Sequence, residues 1–434
     1  MLLKRWDHLF PVDVIPRRHE KGVHKLRSFQ VSEKKKRVAT DMLINLIGTG
    51  LPLVALQLIV YPIVARRIDA DAYGRMQSLV SVIFLISGTL GGALSTTRLI
   101  HQYDYDEQGR IGDFSLLNLY SLGAVAIATP IVIYLYLGEV DLYELILITI
   151  ISVLNYTELY FEVGLRLILN YRKIFINKLI GAIGYLIGFL IFRWTFDWHY
   201  IFIAAYLIQT LYCIHSTNLL REPIQKTEAF GDTTRSYGNI TIASAFNKSL
   251  TYFDKILLHP LLGGEAVSVY FAANIFGKLV IQVLEPITNV ILSYLSKEKK
   301  VSRSVWGLTI SIGGGFCAVM YVFCLLVSRF VLTILYPQFV DEAMKLIPIS
   351  TLSLCVSSFV NIIHPLALKT IKTNRQIIIS GGGLACYVIL ALTLYQPNGL
   401  MGCCVALLIS YLVKLALILL YCFVIDRGSV PSSD

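Results

Sequence analysis

Two apolar stretches of the sequence carry polar side chains at helical spacing, and these residues are the first candidates for chemistry. In the stretch 267–294, five polar residues recur at intervals of four, four, three and four, which places them on one face of an α-helix. They are Asn274, Lys278, Gln282, Glu285 and Asn289. The stretch 238–259 presents a similar face with Ser244, Asn247, Thr251 and Asp254, flanked by Lys248 and Lys255. Amides and hydroxyls in this pattern suit hydroxyl-rich ligands, and ammonium groups suit anions.

The lysines near the centres of these stretches are the sharpest candidates. Lys248 and Lys278 each lie ten or more residues from either end of their stretch. That depth is too great for the side chain to reach polar surroundings by extending. An ionisable group at the centre of a membrane costs about 2.5–3.5 kcal/mol, so each one needs a role. Asp254 or Glu285 could pair with either lysine, whereas Lys255 lies nearer the end of its stretch and could extend to the membrane surface.

We therefore expect a polar cavity between helices, and the alternative is hydrogen bonding that only joins the helices. The predicted binding residues are Asn247, Lys248, Asp254, Asn274, Lys278, Gln282 and Glu285. The fourth span has a further polar face of Asn155, Glu158, Glu162 and Arg166, in which Glu162 and Arg166 are four residues apart and can pair. That pair could belong to the cavity or to the protein surface.

The elements that position these residues follow from composition. Hydrophobic residues make up 56% of the 434 residues and charged residues 15%, against roughly 25% charged in a soluble domain. Apolar runs of the length that crosses a membrane, about 20 residues, recur along the chain. The predicted spans are 41–65, 75–96, 114–137, 142–164, 174–192, 199–219, 238–259, 267–294, 304–328, 346–368, 376–395 and 399–424. The fold class is therefore an all-α integral membrane protein of about twelve transmembrane helices.

The positions of the basic residues predict the orientation. With the N-terminus inside, the inner segments hold 28 Lys and Arg and the outer segments hold five, so both termini are expected in the cytoplasm. The net charge of +10 then reports topology in the cell membrane, and no nucleic-acid partner is expected. The longest internal polar stretch divides the spans into two six-helix halves around a central cavity.

The predicted organisation has five parts. A basic cytoplasmic tail precedes a first six-helix half, a cytoplasmic linker, a second six-helix half and a short cytoplasmic tail. These parts are 1–40, 41–219, 220–237, 238–425 and 426–434.

The sequence shows no pattern typical of catalysis. Its glycine clusters are not followed by Lys-Ser or Lys-Thr, so they do not form a nucleotide-binding loop. The eight cysteines lie in apolar runs without metal-ligand spacing, which favours small buried side chains. We expect no enzyme activity, no cofactor and no metal site. Without a nucleotide-binding loop, any transport would draw its energy from an ion gradient, the membrane potential or substrate mass action.

Several short motifs, in this order and spacing, resemble the polysaccharide-transporter branch of the multidrug/oligosaccharidyl-lipid/polysaccharide exporter superfamily, which includes oligosaccharide flippases. The likeness covers nearly everything from about residue 38 to 425. The segments that carry it are Ala65-Arg66-Arg67-Ile68 with Ala72-Tyr73-Gly74, Tyr252-Phe253-Asp254-Lys255-Ile256-Leu257-Leu258, Tyr270-Phe271-Ala272-Ala273, Leu335-Tyr336-Pro337-Gln338-Phe339 and Pro397-Asn398-Gly399-Leu400-Met401-Gly402.

The resemblance implies a substrate, an oligosaccharide repeat unit on a polyprenyl diphosphate carrier, moved from the inner to the outer leaflet for cell-surface polysaccharide export. The implied partners are this lipid-linked glycan, the bilayer, a coupling ion, and neighbouring polymerases or glycosyltransferases. Two alternatives stay open. One is a multidrug or cation antiporter of the same superfamily, which would favour a net acidic cavity. The other is a non-transporting membrane scaffold for envelope polysaccharide assembly.

Overall fold

The computed structural model describes residues 44, 47–168, 170–295, 303–370 and 373–422. The predicted tails, 1–40 and 426–434, lie outside these residues. Within them the regular elements are helices, as expected for backbone that must satisfy its own hydrogen bonds in lipid.

Twelve helices follow one another in the described chain, in the order of the predicted spans. The first six helices are α1 Ile47–Ala65, α2 Ala70–Glu107, α3 Asp113–Leu137, α4 Leu142–Leu167, α5 Tyr171–Thr195 and α6 His199–Ser216. The next two, α7 and α8, lie in one joint segment, Phe230–Leu295. The others are α9 Arg303–Leu335, α10 Val340–Thr370 and the joint segment Thr373–Leu420 that holds α11 and α12.

Two glycines divide the joint segments. Gly263 has φ 83° and ψ 172°, and Gly399 has φ 53° and ψ −137°, conformations that glycine adopts without a side-chain penalty. They separate α7 (230–262) from α8 (264–295) and α11 (373–398) from α12 (400–420). Nine described segments are long and apolar enough to cross a membrane when the joint segments are left whole and α6 is not counted. The prediction of an all-helical membrane protein with about twelve spans is confirmed.

Two helices extend furthest beyond their predicted spans, because their ends are polar. The helix α2 continues to Glu107, and at about 1.5 Å per residue it extends beyond a ~30 Å hydrocarbon layer. Residues 230–237 of the predicted linker form the first turns of α7. Hydropathy detects only the apolar part of such helices.

The helix α2 is central to the bundle. It packs along the joint segment of α7 and α8 and also contacts α3 and α4. The helix α10 packs against α9 and against both joint segments, that of α7 and α8 and that of α11 and α12. Large apolar side chains on α3 and α9, such as Leu135 and Leu326, are exposed. Exposed apolar surface on this scale suits a protein surrounded by lipid.

At one end of the bundle the linker is fixed to the first helices. Asp113, the buried first residue of α3, accepts hydrogen bonds from the Tyr105 hydroxyl at 2.7 Å and from the Thr227 backbone amide at 2.7 Å. Buried Arg98 donates to Glu222 and, at 3.0 Å, to the Tyr160 hydroxyl. Because these partners come from both sides of residue 220, the start of α7 is held against α2 and α3.

At the opposite end, α2 and α8 meet through their backbones. The Gly264 amide donates to Asp71 Oδ1 at 2.9 Å. A Cβ placed on Gly74 would lie 1.7 Å from the Gly264 carbonyl oxygen, and one on Gly264 would lie 2.2 Å from the Asp71 carbonyl oxygen. Gln338, after α9, donates to the Ala65 carbonyl at 3.1 Å. The first six helices and the last six are therefore closed against each other at this end.

Candidate functional site

A cavity of about 350 Å³ lies between the first six and the last six helices. Its walls come from α1, α2 and α5 on one side and from α7, α8, α10 and α12 on the other. The volume lies at the lower end of the range of small-molecule sites.

The charged wall of the cavity is built by α7 and α8. Asp254 Oδ2 accepts from Lys278 Nζ at 3.0 Å and from the Tyr270 hydroxyl at 2.9 Å. Asp254 Oδ1 accepts from the backbone amide of Lys255 at 2.8 Å. The carboxylate is only 2% exposed, so its three donors replace the water that it has lost.

Lys255 is the second cation of this wall. It lines the cavity and is 7% exposed, with Nζ 5.5 Å from the centre of the Phe271 ring. Among the described residues, no carboxylate lies within 4.0 Å of this ammonium group. The expectation that Lys255 extends to the membrane surface is wrong, because α7 continues to the break at Gly263 and so keeps the residue inside the helix.

Two of the seven predicted binding residues, Asp254 and Lys278, are among the described residues that line the cavity. Of the two acids that could pair with Lys278, Asp254 is the one that does so in the described residues. Described cavity-lining residues thus contribute two basic groups, Lys255 and Lys278, and one carboxylate, which gives a formal net charge of one positive unit. An arrangement of this kind favours an anionic group through charge-assisted hydrogen bonds.

The other predicted residues have different surroundings. Asn247 is exposed, and its Oδ1 accepts from the Ser380 hydroxyl at 3.1 Å. Lys248 is half-buried against α2, with Nζ 3.0 Å from the place of a Cβ on Gly88. Asn274 is buried, and its Nδ2 donates to the Tyr270 carbonyl at 2.8 Å within α8.

Two predicted residues remain without a structural account. Gln282 and Glu285 belong to α8, but their side chains lie outside the described part of the structure, so their place in the binding set stays a prediction.

The opposite wall is neutral, with amide and aromatic groups. On α2, Gln77, Val80 and Phe84 line the cavity at spacings of three and four, which is one face of a helix. On α1, Gln57 lines the cavity from a π-helical stretch, Val54–Val60. Such stretches are frequent at functional sites because they alter side-chain direction within a helix. Sequence analysis did not find Gln77, since a lone amide near the start of a span shows no repeating pattern.

A second buried polar group lies among α4, α5 and α6. Glu162 accepts from Arg166 Nη2 at 2.6 Å, which confirms the predicted pair, and also from Lys178. Glu158 accepts from Lys178 Nζ at 3.2 Å and from Asn177 Nδ2 at 3.1 Å. None of these five residues is among the described residues that line the cavity. Gln209 of α6 also donates from Nε2 to the Asn177 carbonyl at 3.2 Å. The group therefore joins three helices, as interhelical polar contacts in membranes do.

The described residues contain no group of three or more His, Cys, Asp or Glu that could hold a metal ion. The cavity chemistry they offer is binding, through two ammonium groups, one carboxylate, amides and hydroxyls.

No protein-family model and no curated protein matches the sequence. The fold is similar to solved membrane transporters. The lipid II flippase MurJ in an inward closed conformation has a TM-score of 0.63 and 15% identity, covering 88% of this chain and 85% of that one. An outward-facing multidrug resistance MATE family transporter of the MOP superfamily has a TM-score of 0.62 and 12% identity, covering 91% and 96%. The Vibrio cholerae MATE transporter VcmN, in a mutant form, has a TM-score of 0.59 and 15% identity, covering 92% and 98%. The chain thus shares the fold of these solved membrane proteins.

Proposed function

We propose that this protein is a flippase that moves a polyprenyl-diphosphate-linked oligosaccharide from the inner to the outer leaflet of the cytoplasmic membrane. The net positive charge of the described cavity wall, from Lys255, Lys278 and Asp254, carries the proposal. A diphosphate must lose water to enter the protein, and buried ammonium groups offset that loss. The similarity to a lipid II flippase supports the same class of cargo.

The cavity has a charged wall and a neutral wall, and these suit different parts of the substrate. The diphosphate would bind the wall of α7 and α8, and the glycan would face the amides and rings of α1 and α2. The lipid tail would remain in the bilayer. With both termini cytoplasmic, as the positive-inside rule predicts, the closed end at Gly264 would face outwards. Transport would then follow alternating access, in which the two sets of six helices move relative to each other.

A second candidate is a multidrug or cation antiporter, which the MATE neighbours support equally by fold. The observation in its favour is Asp254, a carboxylate inside the cavity. In this structure the Asp254 carboxylate already accepts hydrogen bonds from an ammonium group, a hydroxyl and a backbone amide. Its negative charge is therefore largely compensated and attracts a cationic drug only weakly. The excess of lysine favours the anionic substrate.

The test is transport in proteoliposomes with a lipid-linked oligosaccharide whose glycan is fluorescent. Wild-type protein should expose the glycan to an external quencher, and the double variant Lys255→Met/Lys278→Met should not. A cationic dye loaded into the same vesicles tests the antiporter. Dye efflux without glycan exposure would overturn the flippase proposal. Lys345→Met is the control, because Lys345 lies on the exposed start of α10, with a side chain 72% exposed.

A further inference from the structure

Gln77 in α2 is buried with an amide that has no partner. The residue is 1% exposed, and no described protein group forms a hydrogen bond with its Nε2 or its Oε1. The hydroxyls of Tyr61 and Tyr73 are near enough to interact with the amide, but neither lies in the geometry of a hydrogen bond with its nitrogen or its oxygen. A buried amide that lacks both of its bonds is costly, so its retention calls for a ligand.

Gln77 differs from the other unpartnered polar groups. Some other buried side chains in the described chain also have a single atom without a partner, such as the Oδ1 of Asn177 and the Oδ1 of Asn274. In both of these the amide nitrogen is satisfied, and neither residue is among the described residues lining the cavity. In Gln77 both the amide nitrogen and the amide oxygen are without a hydrogen bond, and the residue lines the cavity.

The chemistry of the missing partner follows from the amide itself. A primary carboxamide presents an acceptor oxygen and donor hydrogens side by side in one plane. Two hydroxyls on neighbouring ring carbons match that pair, because one can donate while the other accepts. A phosphate oxygen would satisfy only the nitrogen, and an apolar drug would satisfy neither. Phe84 lies seven residues along the same face of α2, half-buried with its ring at the cavity, and offers an apolar surface to the face of a sugar ring.

The position of Gln77 fixes which sugar it would meet. Ser78, the next residue, donates to the backbone carbonyl of Lys255 at 3.2 Å. This contact places Ser78 of α2 and Lys255 of α7 at the same height along the bundle. Gln77, next to Ser78, therefore lies at the height of Lys255 and Asp254. A group bound at Gln77 while a diphosphate contacts Lys255 is therefore the sugar attached directly to that diphosphate.

We propose that Gln77, with the Tyr61 hydroxyl and the Phe84 ring beside it, is a subsite for the first sugar of the lipid-linked glycan and binds two neighbouring hydroxyls of its ring. The subsite rests on the proposed flippase function and deepens it. It assigns discrimination between substrates to α2, apart from the lysines that would hold the diphosphate.

The test is binding by the full-length protein in detergent. The probes are polyprenyl diphosphate alone and the same lipid carrying glucose, galactose or N-acetylglucosamine. Wild-type protein should bind at least one sugar-bearing lipid about tenfold more tightly than bare polyprenyl diphosphate, the difference that one to two hydrogen bonds make. Gln77→Leu should lose that tenfold advantage and keep the affinity for the bare lipid. Gln77→Asn, whose amide is one methylene further from the ligand, should keep part of it.

Stability without ligand separates this role from a structural one. Because the amide has no partner, Gln77→Leu should melt at the same temperature as wild type or higher. Gln396→Leu, a change of the same type at an exposed position near the end of α11, is the control. A lower melting temperature for Gln77→Leu, with equal loss of all lipids, would show a structural amide and overturn the subsite.

Two further outcomes are distinct. If wild type binds bare and sugar-bearing lipids equally, or if Gln77→Leu keeps the sugar advantage, the subsite is wrong while diphosphate recognition stands. If wild type binds none of the four lipids, the flippase proposal fails and the subsite fails with it.

Discussion

The ion pair between Lys278 and Asp254 gives the most discriminating prediction, because a lysine that binds substrate and a lysine that only neutralises an acid behave differently in a double-mutant cycle. The variants are Lys278→Met, Asp254→Asn and the two combined. Methionine keeps much of the length of the lysine stem without the charge. Asparagine keeps the shape of the acid and one acceptor oxygen.

The magnitudes follow from the contacts. Lys278→Met leaves a carboxylate that is 2% exposed with two neutral donors, Tyr270 and the Lys255 amide. Removing one partner of a buried ion pair costs roughly 3–5 kcal/mol. We expect about 3 kcal/mol, the lower end of that range, because the Lys278 side chain is 22% exposed to the cavity and two donors remain. In the double variant, the introduced asparagine can still accept from one of those donors, so the free energy of unfolding should lie within about 1 kcal/mol of wild type.

Transport by the same variants then decides the role. If Lys278 binds the diphosphate, Lys278→Met and the double variant should both fail to translocate the lipid-linked glycan, although the double variant has regained its stability. Lys278→Arg should keep partial activity, since its charge is retained with a different geometry. Lys278→Ala should also abolish translocation, and Lys278→Gln should behave nearly the same, because a neutral donor does not offset the charge of the diphosphate.

The assays are the free energy of unfolding in mixed micelles and glycan exposure in proteoliposomes, each normalised to the amount of inserted protein. Full activity of the double variant would show that Lys278 only neutralises Asp254. Full activity of Lys278→Met alone would refute its place in the binding site. Neither result would change the fold.

Other predictions follow from the same structure. A reporter after Gly231 should be cytoplasmic and one at Asn398 external; the reverse, read by reporter-enzyme activity, would contradict the proposed orientation. Lys178→Met should lower the free energy of unfolding by about 3–5 kcal/mol, since two buried carboxylates lose their shared cation, and unchanged denaturant unfolding would contradict this. Gly74→Ala should force α2 away from the Gly264 carbonyl, 1.7 Å from the new Cβ, and raise the reaction of a nearby introduced cysteine with an external thiol reagent; unchanged labelling would refute the closed contact.

Much of the fold was predictable because lipid imposes a length and a composition on each helix. The polar ends of the helices were not predictable from hydropathy. Residues 230–237, for example, extend α7 but carry exposed polar groups and so show no apolar pattern. The break at Gly263 explains the error for Lys255. Measured from the predicted end of the span at 259, this lysine is four residues from the surface. Measured from the break, it is eight residues inside a helix, where extension to the surface is not available.

Part of the site was predictable from spacing, and its pairing was not. Helical spacing placed Lys278 and Asp254 on polar faces of their own helices. The rotation of one helix against another determines which polar faces meet, and that rotation depends on packing along the whole length of α2, α7 and α8. The same limit explains why Asn247 and Asn274, on predicted polar faces, contact Ser380 and the Tyr270 carbonyl, and why Gln77, without a repeating pattern, was missed.

Burial alone does not separate binding groups from structural ones in this protein. Glu158 and Glu162 are as deeply buried as Asp254, but each has a cation and further donors, and no described wall of the cavity contains them. Such a satisfied group stabilises one arrangement of helices and has nothing left to offer a ligand. Lys255 and Gln77 show the opposite combination, because both are buried at the cavity, the lysine without a carboxylate in salt-bridge range among the described residues and the amide without a hydrogen bond. A polar group kept in that condition destabilises the empty protein, so we infer that its contribution is made when the cavity is filled. Under the proposed function, the two side chains together would select a cargo with an anion beside a polyol.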